Sequence, residues 1–254
     1  HMIFSIIFNK FEEKEFNRKT KIWPIAWNSK QGRQLLASSK YKEDFYNLAN
    51  FYQAQQNPLY CGVAVLTTIL NASHLEKKLI PNSKNSVSRP KALNNKKMDF
   101  HIYTQNDVLN SKTDRVKLRK VINYKARSKK LKKYDPGFTL IELAGVFKVY
   151  KFKVKKYFAG DKQYGLKKFK KNLVKNLNLQ DKYVVANFQG AEFGAKTRGH
   201  IAIIVAYNED QNMLLILDPA LQKNSWIWVD ADIFYQSMHT KDGKNYRGYL
   251  IVKS

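Results

Sequence analysis

At 254 residues and 29.7 kDa, the chain is long enough for one two-lobed domain, or two small ones, with a sizeable core. Its 44% hydrophobic content, with 15 Tyr and 15 Phe, excludes a disordered chain, and its single cysteine excludes an internal disulfide and any zinc site built on several thiolates. The 46 basic residues against 20 acidic ones give a formal net charge of +26, which favours encounter with nucleic acid, acidic lipid or small anionic substrates.

In chain order, His1–Met2 reads as an expression-tag remnant, and the apolar run Ile3 to Phe8 is too short to span a membrane but fits the remnant of a trimmed export signal. Asn28-Ser29 before Gln31 to Leu36 predicts a capped helix. Tyr41 to Tyr52, with Phe45, Leu48, Ala49 and Tyr52 at helical spacing, predicts a second. A loop containing Asn57-Pro58 leads into a third helix, from Cys61 through Leu70. From about residue 81 to 136 lysines are dense and apolar periodicity is poor. This predicts a long, partly exposed insertion whose most structured element is Phe100 to Gln105. Thr139-Leu140-Ile141-Glu142 fits a capping box opening a helix to about Phe147. Val149 to Phe158 alternates apolar residues with lysines, as a strand with one wet face does, and Tyr164 to Leu177 reads as a basic helix. Strands follow at Tyr183 to Phe188, Ile201 to Tyr207, Met213 to Leu217 and Tyr246 to Val252, with a helix at Ala231 to Met238 between the last two. Helices first and antiparallel strands last predict an α+β fold, with the Cys61 helix packed on the sheet; there is no internal repeat.

The chemistry-bearing residues begin with Cys61. The Pro58-Leu59-Tyr60-Cys61-Gly62 entry puts a thiol at a helix N-terminus, where the dipole and free N–H groups favour the thiolate, and Gln55, six residues upstream, offers a second polar donor. Those are the parts of a thiol nucleophile with an oxyanion hole. A lone cysteine in an apolar stretch is nevertheless more often a buried small hydrophobe. His200 opens one apolar strand and Asp218 closes the next. A hairpin centred on Glu209 pairs residue 200 with residue 218 on one face, so that a carboxylate can hold an imidazole in one tautomer. A one-residue shift of the turn centre would slide that pairing by two. An isolated strand-start histidine is usually structural, and an aspartate at a strand end is usually a turn former. The 139 residues between Cys61 and His200 nonetheless match the Cys-to-His separation of papain-type enzymes. His74, His101 and His239 compete for the base role but have no geometrically implied carboxylate.

The run Gln55 through Leu70, Gly199-His200, Tyr207-Asn208, Leu215-Ile216-Leu217-Asp218, Gly137-Phe138-Thr139-Leu140 and Arg247-Gly248-Tyr249 together resemble the catalytic domain of phytochelatin synthases, over about residues 20 to 254. The resemblance implies a papain-like cysteine protease fold of α+β class, in a single catalytic domain over 3–254 with the lysine-rich insertion. It implies action on glutathione, with Cys61 as nucleophile, His200 as base, Asp218 as its orienting group and Gln55 as oxyanion donor. Gly62, Arg198, Gly199, Lys223, Asp242 and Arg247 form the substrate-binding set it implies. A γ-glutamylcysteinyl thioester on Cys61 would pass to water or to a second glutathione as acceptor.

No bound metal is required, and cadmium or zinc would enter as glutathione thiolate complexes. The resemblance is to the catalytic domain alone, so no counterpart of the plant members' variable, cysteine-bearing C-terminal domain is expected, and short bacterial relatives of this layout act mainly as glutathione hydrolases. The family's arginine ten residues before the histidine is Gly190 here, with Arg198 its nearest replacement. The arginine three residues after the aspartate is Leu221, whereas Asp242 matches an acidic position tied to the second substrate. Hydrolysis is therefore expected to exceed polymerisation. The resemblance also leaves room for a homodimer, and for residence in a bacterial cytoplasm or periplasm or delivery into a host cell. Two alternatives stand beside this reading. One is a papain-like peptidase on another γ-glutamyl peptide. The other is a basic module for nucleic acid or membrane, supported by the charge and the cluster from Lys129 to Lys133 but by no nucleic-acid motif, so nucleic acid is not the expected partner.

Overall fold

The computed structural model describes residues 24–73, 86–87, 98–99, 102–122 and 137–254. The tag remnant, the run Ile3 to Phe8, His74, Phe100, His101 and the cluster Lys129 to Lys133 lie outside the described residues.

Three apolar runs of the chain form the centre of the sheet. These are β5 (Lys182–Gln189), β6 (Gly199–Asn208) and β7 (Met213–Leu217), whose residues are buried on both faces. Such continuous burial needs cover on both sides. Around them stand β1 (Ile25–Ala26), β4 (Lys153–Phe158), β8 (Ile227–Asp230) and β11 (Gly248–Lys253). The resulting seven-stranded sheet has the order β1-β8-β7-β6-β5-β11-β4, and all of its pairs are antiparallel. Two short pairs lie apart from it: β2 (Ser86–Val87) with β3 (Met98–Asp99), and β9 (Lys241–Asp242) with β10 (Asn245–Tyr246).

The helices are α1 (Lys30–Ser38), α2 (Phe45–Asn50), α3 (Cys61–Ala72), α4 (Arg119–Ile122), α5 (Leu140–Val149), α6 (Leu166–Leu177) and α7 (Ala231–Met238). Side-chain alternation splits the core in two. Tyr183, Val185, Ile201 and Ile203 pack on the side of α3 and α5, while Val184, Ala186, Ala202 and Ile204 pack on the side of α6 and α7. The fold is therefore α+β, with the Cys61 helix seated on an antiparallel sheet, as expected. Among the described residues no helix is long and apolar enough to cross a membrane.

Local chemistry explains most element ends. The Ser29 side chain accepts from Gly32 N and starts α1, and Thr139 with Glu142 forms the expected capping box of α5. Three elements differ from expectation. The helix expected from Tyr41 to Tyr52 is shorter, because Tyr41 instead pairs with β6, its carbonyl accepting from Tyr207 N at 2.9 Å. The strand expected from Val149 begins at Lys153, because Tyr150 still closes α5 and Lys151, at φ +69°, reverses the chain. Strand β8 was not expected at all; Ile227-Trp228-Val229 is too short a run to show alternation. Residues 102–122 of the insertion are partly buried. Tyr103, Gln105, Val108 and Leu109 are buried, and the segment docks on the loop that precedes α3.

The β6–β7 hairpin also differs in register. Its turn runs through Glu209 to Asn212, with Asn212 at φ +53°, so Asn208 pairs with Met213. A bulge between Ile204 and Ala206 then sets Ile203 opposite Leu217. The turn centre lies beyond Glu209, and His200 is therefore not directly opposite Asp218.

Candidate active site

Cys61 is the first residue of α3 and is buried, at 9% exposure. Asn57 builds the approach: its side-chain oxygen accepts from Leu59 N at 2.9 Å and its carbonyl from Tyr60 N at 3.1 Å. Tyr60, at the N-cap, makes no side-chain capping bond. The first N–H groups of a helix have no intrahelical acceptor, so an uncapped start leaves donors and the positive end of the dipole beside the thiol. Every residue of α3 is buried, which fixes that start rigidly.

His200 and Asp218 are buried, and His200 Nε2 lies 2.6 Å from Asp218 Oδ1. The two-residue slip does not separate them, since residues two apart share a strand face and a diagonal pair is within reach of a long side chain. With Nε2 held by Asp218, the other ring nitrogen, Nδ1, is the one left for Cys61, which lies close enough to act on the imidazole. Burial alone would lower the imidazole's pKa. The hydrogen bonds to Asp218 and Cys61, and the negative charge of both, outweigh it and push the value up to about 10. Phe188, opposite His200 in β5, packs edge-on to the ring at 5.7 Å.

Asp218 is itself held from several sides. Oδ1 also accepts from Ala220 N at 2.7 Å, Oδ2 accepts from the Asn224 amide at 3.1 Å, and Tyr52 donates its hydroxyl to the Asp218 carbonyl at 2.8 Å. Gln55 is tied to the same loop through Gln55 N to Pro219 O at 2.8 Å. The Gln55 amide donates to Asn57 O at 2.9 Å, and its Oε1 is buried without a partner among the described residues. The Gln105 side chain grips the chain on both sides of Gln55, donating to Ala54 O at 2.8 Å and accepting from Gln56 N at 3.0 Å.

A second polar group surrounds Gly199, the neighbour of His200. Arg247 donates to Asn187 Oδ1 at 2.6 Å and pairs with Asp242 at 3.2 Å, and Asn187 donates to Asp242 at 2.8 Å. A Cβ on Gly199 would lie 2.7 Å from the Arg247 guanidinium, so the absence of a side chain there is what lets the arginine reach Asn187. Arg247 Nε is buried and has no partner among the described residues.

The structure thus brings Cys61, His200 and Asp218 together, ties Gln55 to the Asp218 loop, and joins Asp242, Arg247 and Gly199 in one cluster. It does not give Gly62, Arg198 or Lys223 a comparable place. Gly62 packs against Phe138, where a Cβ would stand 2.7 Å from the ring, so its small size serves helix–core packing. Arg198 and Lys223 are exposed, their backbones bonded to Gly190 and Ala220. His239 stacks on Tyr246. Asn187, Asn224, Gln105 and Tyr52 escaped sequence reasoning. Asn187 interrupts an apolar strand and was a detectable signal; Asn224 and Gln105 lie in polar loops without periodicity. Among the described residues no group of three or more His, Cys, Asp or Glu could hold a metal ion.

Comparison with known proteins gives one consistent result. The phytochelatin synthase family model matches residues 19–249. The chain is 24% identical over 234 residues to glutathione gamma-glutamylcysteinyltransferase 1 of Triticum aestivum, covering 90% of this chain and 40% of that protein. It is likewise 24% identical over 234 residues to the enzyme of the same name from Arabidopsis thaliana, covering 90% and 41%. The chain therefore spans about two fifths of the length of these relatives. Among solved structures it is similar to the peptidase domain of Streptococcus ComA, a bifunctional ABC transporter involved in quorum sensing. The TM-score is 0.39 at 14% identity, covering 79% of this chain and 96% of that one.

Proposed function

The chain belongs to the phytochelatin synthase family, and on that premise we propose that it cleaves the Cys–Gly bond of glutathione through a γ-glutamylcysteinyl thioester on Cys61. The observation that carries this reading is the buried His200–Asp218 pair beside Cys61, itself at the uncapped start of a helix. A charged imidazolium against Sγ, with the helix N-terminus behind it, favours the thiolate nucleophile.

The Cys61 thiolate attacks the cysteinyl carbonyl carbon. The developing oxyanion takes hydrogen bonds from the backbone N–H of Cys61 and from the amide of Gln55, whose second N–H is available for it. His200 passes the proton on Nδ1 to the departing glycine nitrogen as the C–N bond breaks, which leaves the thioester. Neutral His200 then takes a proton from the incoming water or amine, the acyl group leaves sulfur, and the thiolate–imidazolium pair is restored. Water yields γ-glutamylcysteine, and the amino group of a second glutathione yields phytochelatin.

The Asp242–Arg247–Asn187 group suits the charged glutamyl end of the donor, with Asp242 facing its α-amino group and the Arg247 guanidinium its α-carboxylate. Asp242 is thereby assigned to the donor rather than to a second substrate, because its partner Arg247 lies against Gly199, one residue from His200. The exposed Leu221 and Lys223 offer no built acceptor site, which favours hydrolysis over polymerisation. Cadmium or zinc enters as substrate, on glutathione thiolates.

The test is product analysis of glutathione incubated with the wild-type chain and with Cys61→Ala. Free glycine and γ-glutamylcysteine from the wild type alone support the reading. Turnover of other γ-glutamyl peptides but not of glutathione would replace the substrate.

A further inference from the structure

We infer that Asn224 is a positioning residue that holds the Asp218 carboxylate on His200 and ties it to the loop leading into the His200 strand. The inference rests on the reading of Cys61 and His200 as a reactive pair, but not on the substrate.

Asp218 distributes its two oxygens unequally. Oδ1 takes His200 Nε2 at 2.6 Å and Ala220 N at 2.7 Å, while Oδ2 takes the Asn224 amide at 3.1 Å. A carboxylate bonded through one oxygen alone can rotate about its Cβ–Cγ bond, and a donor on the second oxygen resists that rotation. Asn224 is fixed in turn. Its oxygen accepts from Lys196 N at 3.2 Å, in the loop just before Gly199 and His200, and its own N–H donates to Ala220 O at 3.0 Å. This also settles which way the amide faces: a backbone N–H can only donate, so the atom toward Lys196 is the oxygen and the atom toward Asp218 is the NH2 group. Asn224 therefore bridges the two loops that carry the base and its carboxylate, donating to one and accepting from the other.

The two roles separate by substitution. Asn224→Ala removes both bonds. Asn224→Asp has nearly the same shape and keeps the acceptor for Lys196 N, but sets a second carboxylate against Asp218, where two such groups repel or share a proton. Cys61 is the only cysteine in the chain, so the rate of its alkylation by iodoacetamide against pH reports the thiolate–imidazolium pair without interference and without glutathione.

The expected result for Asn224→Ala is an alkaline limb moved down by about one pH unit, as losing one charge-assisted hydrogen bond would give, so that the rate at pH 10 falls about five-fold while the rate at pH 7 is retained. Asn224→Asp should lose at least as much reactivity at pH 10 while melting within a few degrees of wild type. A wild-type profile in Asn224→Asp would overturn the inference and leave Asn224 as a loop staple. A lowered melting temperature with an unchanged profile in Asn224→Ala would do the same. If the wild-type chain fails to cleave glutathione but the variants shift the profile as stated, the inference stands and only the substrate falls.

Discussion

His200 Nε2 and Asp218 Oδ1 lie 2.6 Å apart although the two residues are not opposite each other in the β6–β7 ladder. Their contact is diagonal, and it survives because both lie on the same strand face. Asp218→Asn keeps the shape and removes the charge that holds the imidazolium. Glutathione cleavage should fall by about 10²- to 10⁴-fold, as for carboxylates that orient catalytic histidines elsewhere. Steady-state kinetics should show the loss in kcat, with KM little changed.

The pH dependence follows from the same pair. The His200 pKa is raised from its ordinary value of 6.5 to about 10, so the folded chain binds that proton more tightly than the unfolded chain. The stabilisation is complete below about pH 6.5 and is lost as pH rises through about 10. Melting temperature measured from pH 6 to 11 should decline on the alkaline side, and His200→Gln should flatten that decline. Alkylation of Cys61 should show its alkaline limb in the same region.

Asp44 gives a second titration, remote from the chemistry. Burial raises its pKa from 3.8 to about 6, assisted by the charges of Asp181 and Glu43 and opposed by backbone bonds from Asp181 and Lys182. Its neutral form is favoured by folding, so its stabilising contribution is present below about pH 3.8 and lost as pH rises through about 6. Asn at position 44 is neutral at every pH and keeps an acceptor for Lys182 N. Asp44→Asn should raise the melting temperature at pH 8 and give no such gain at pH 4.

Much of this was legible in the sequence. The capping residues Ser29 and Thr139, the three apolar runs of the central sheet and the Pro-aromatic-Cys-Gly entry to α3 are local signals, and the elements form where they are. The hairpin register was not, because it depends on where the turn closes and on a bulge at Val205 that no residue announces. The surroundings of the triad residues were hidden for a similar reason. Asn224, Gln105 and Asn187 act through partners 6 to 60 residues away, and such pairings are set by tertiary packing rather than by periodicity.

Gly199→Ala separates substrate binding from thiol reactivity. The added Cβ would meet the Arg247 guanidinium at 2.7 Å, and the far end of that flexible side chain must leave Asn187 and Asp242. KM for glutathione should rise about 10-fold or more, consistent with the loss of charge-assisted bonds to a substrate carboxylate, while alkylation of Cys61 stays close to wild type.

Gln105→Ala should do the reverse. It frees the chain on both sides of Gln55 and loosens the oxyanion donor, so kcat should fall while KM and the alkylation rate are retained. Iodoacetamide develops no oxyanion in its reaction, which is why the two assays should diverge.

The most direct test of the central claim is intact-protein mass spectrometry of the chain quenched in acid during turnover of glutathione. A covalent adduct of γ-glutamylcysteinyl mass, mapped to Cys61 and absent from Cys61→Ala, is the predicted result. Glutathione turnover with no adduct on Cys61, or turnover that persists in Cys61→Ala, would contradict the thioester mechanism.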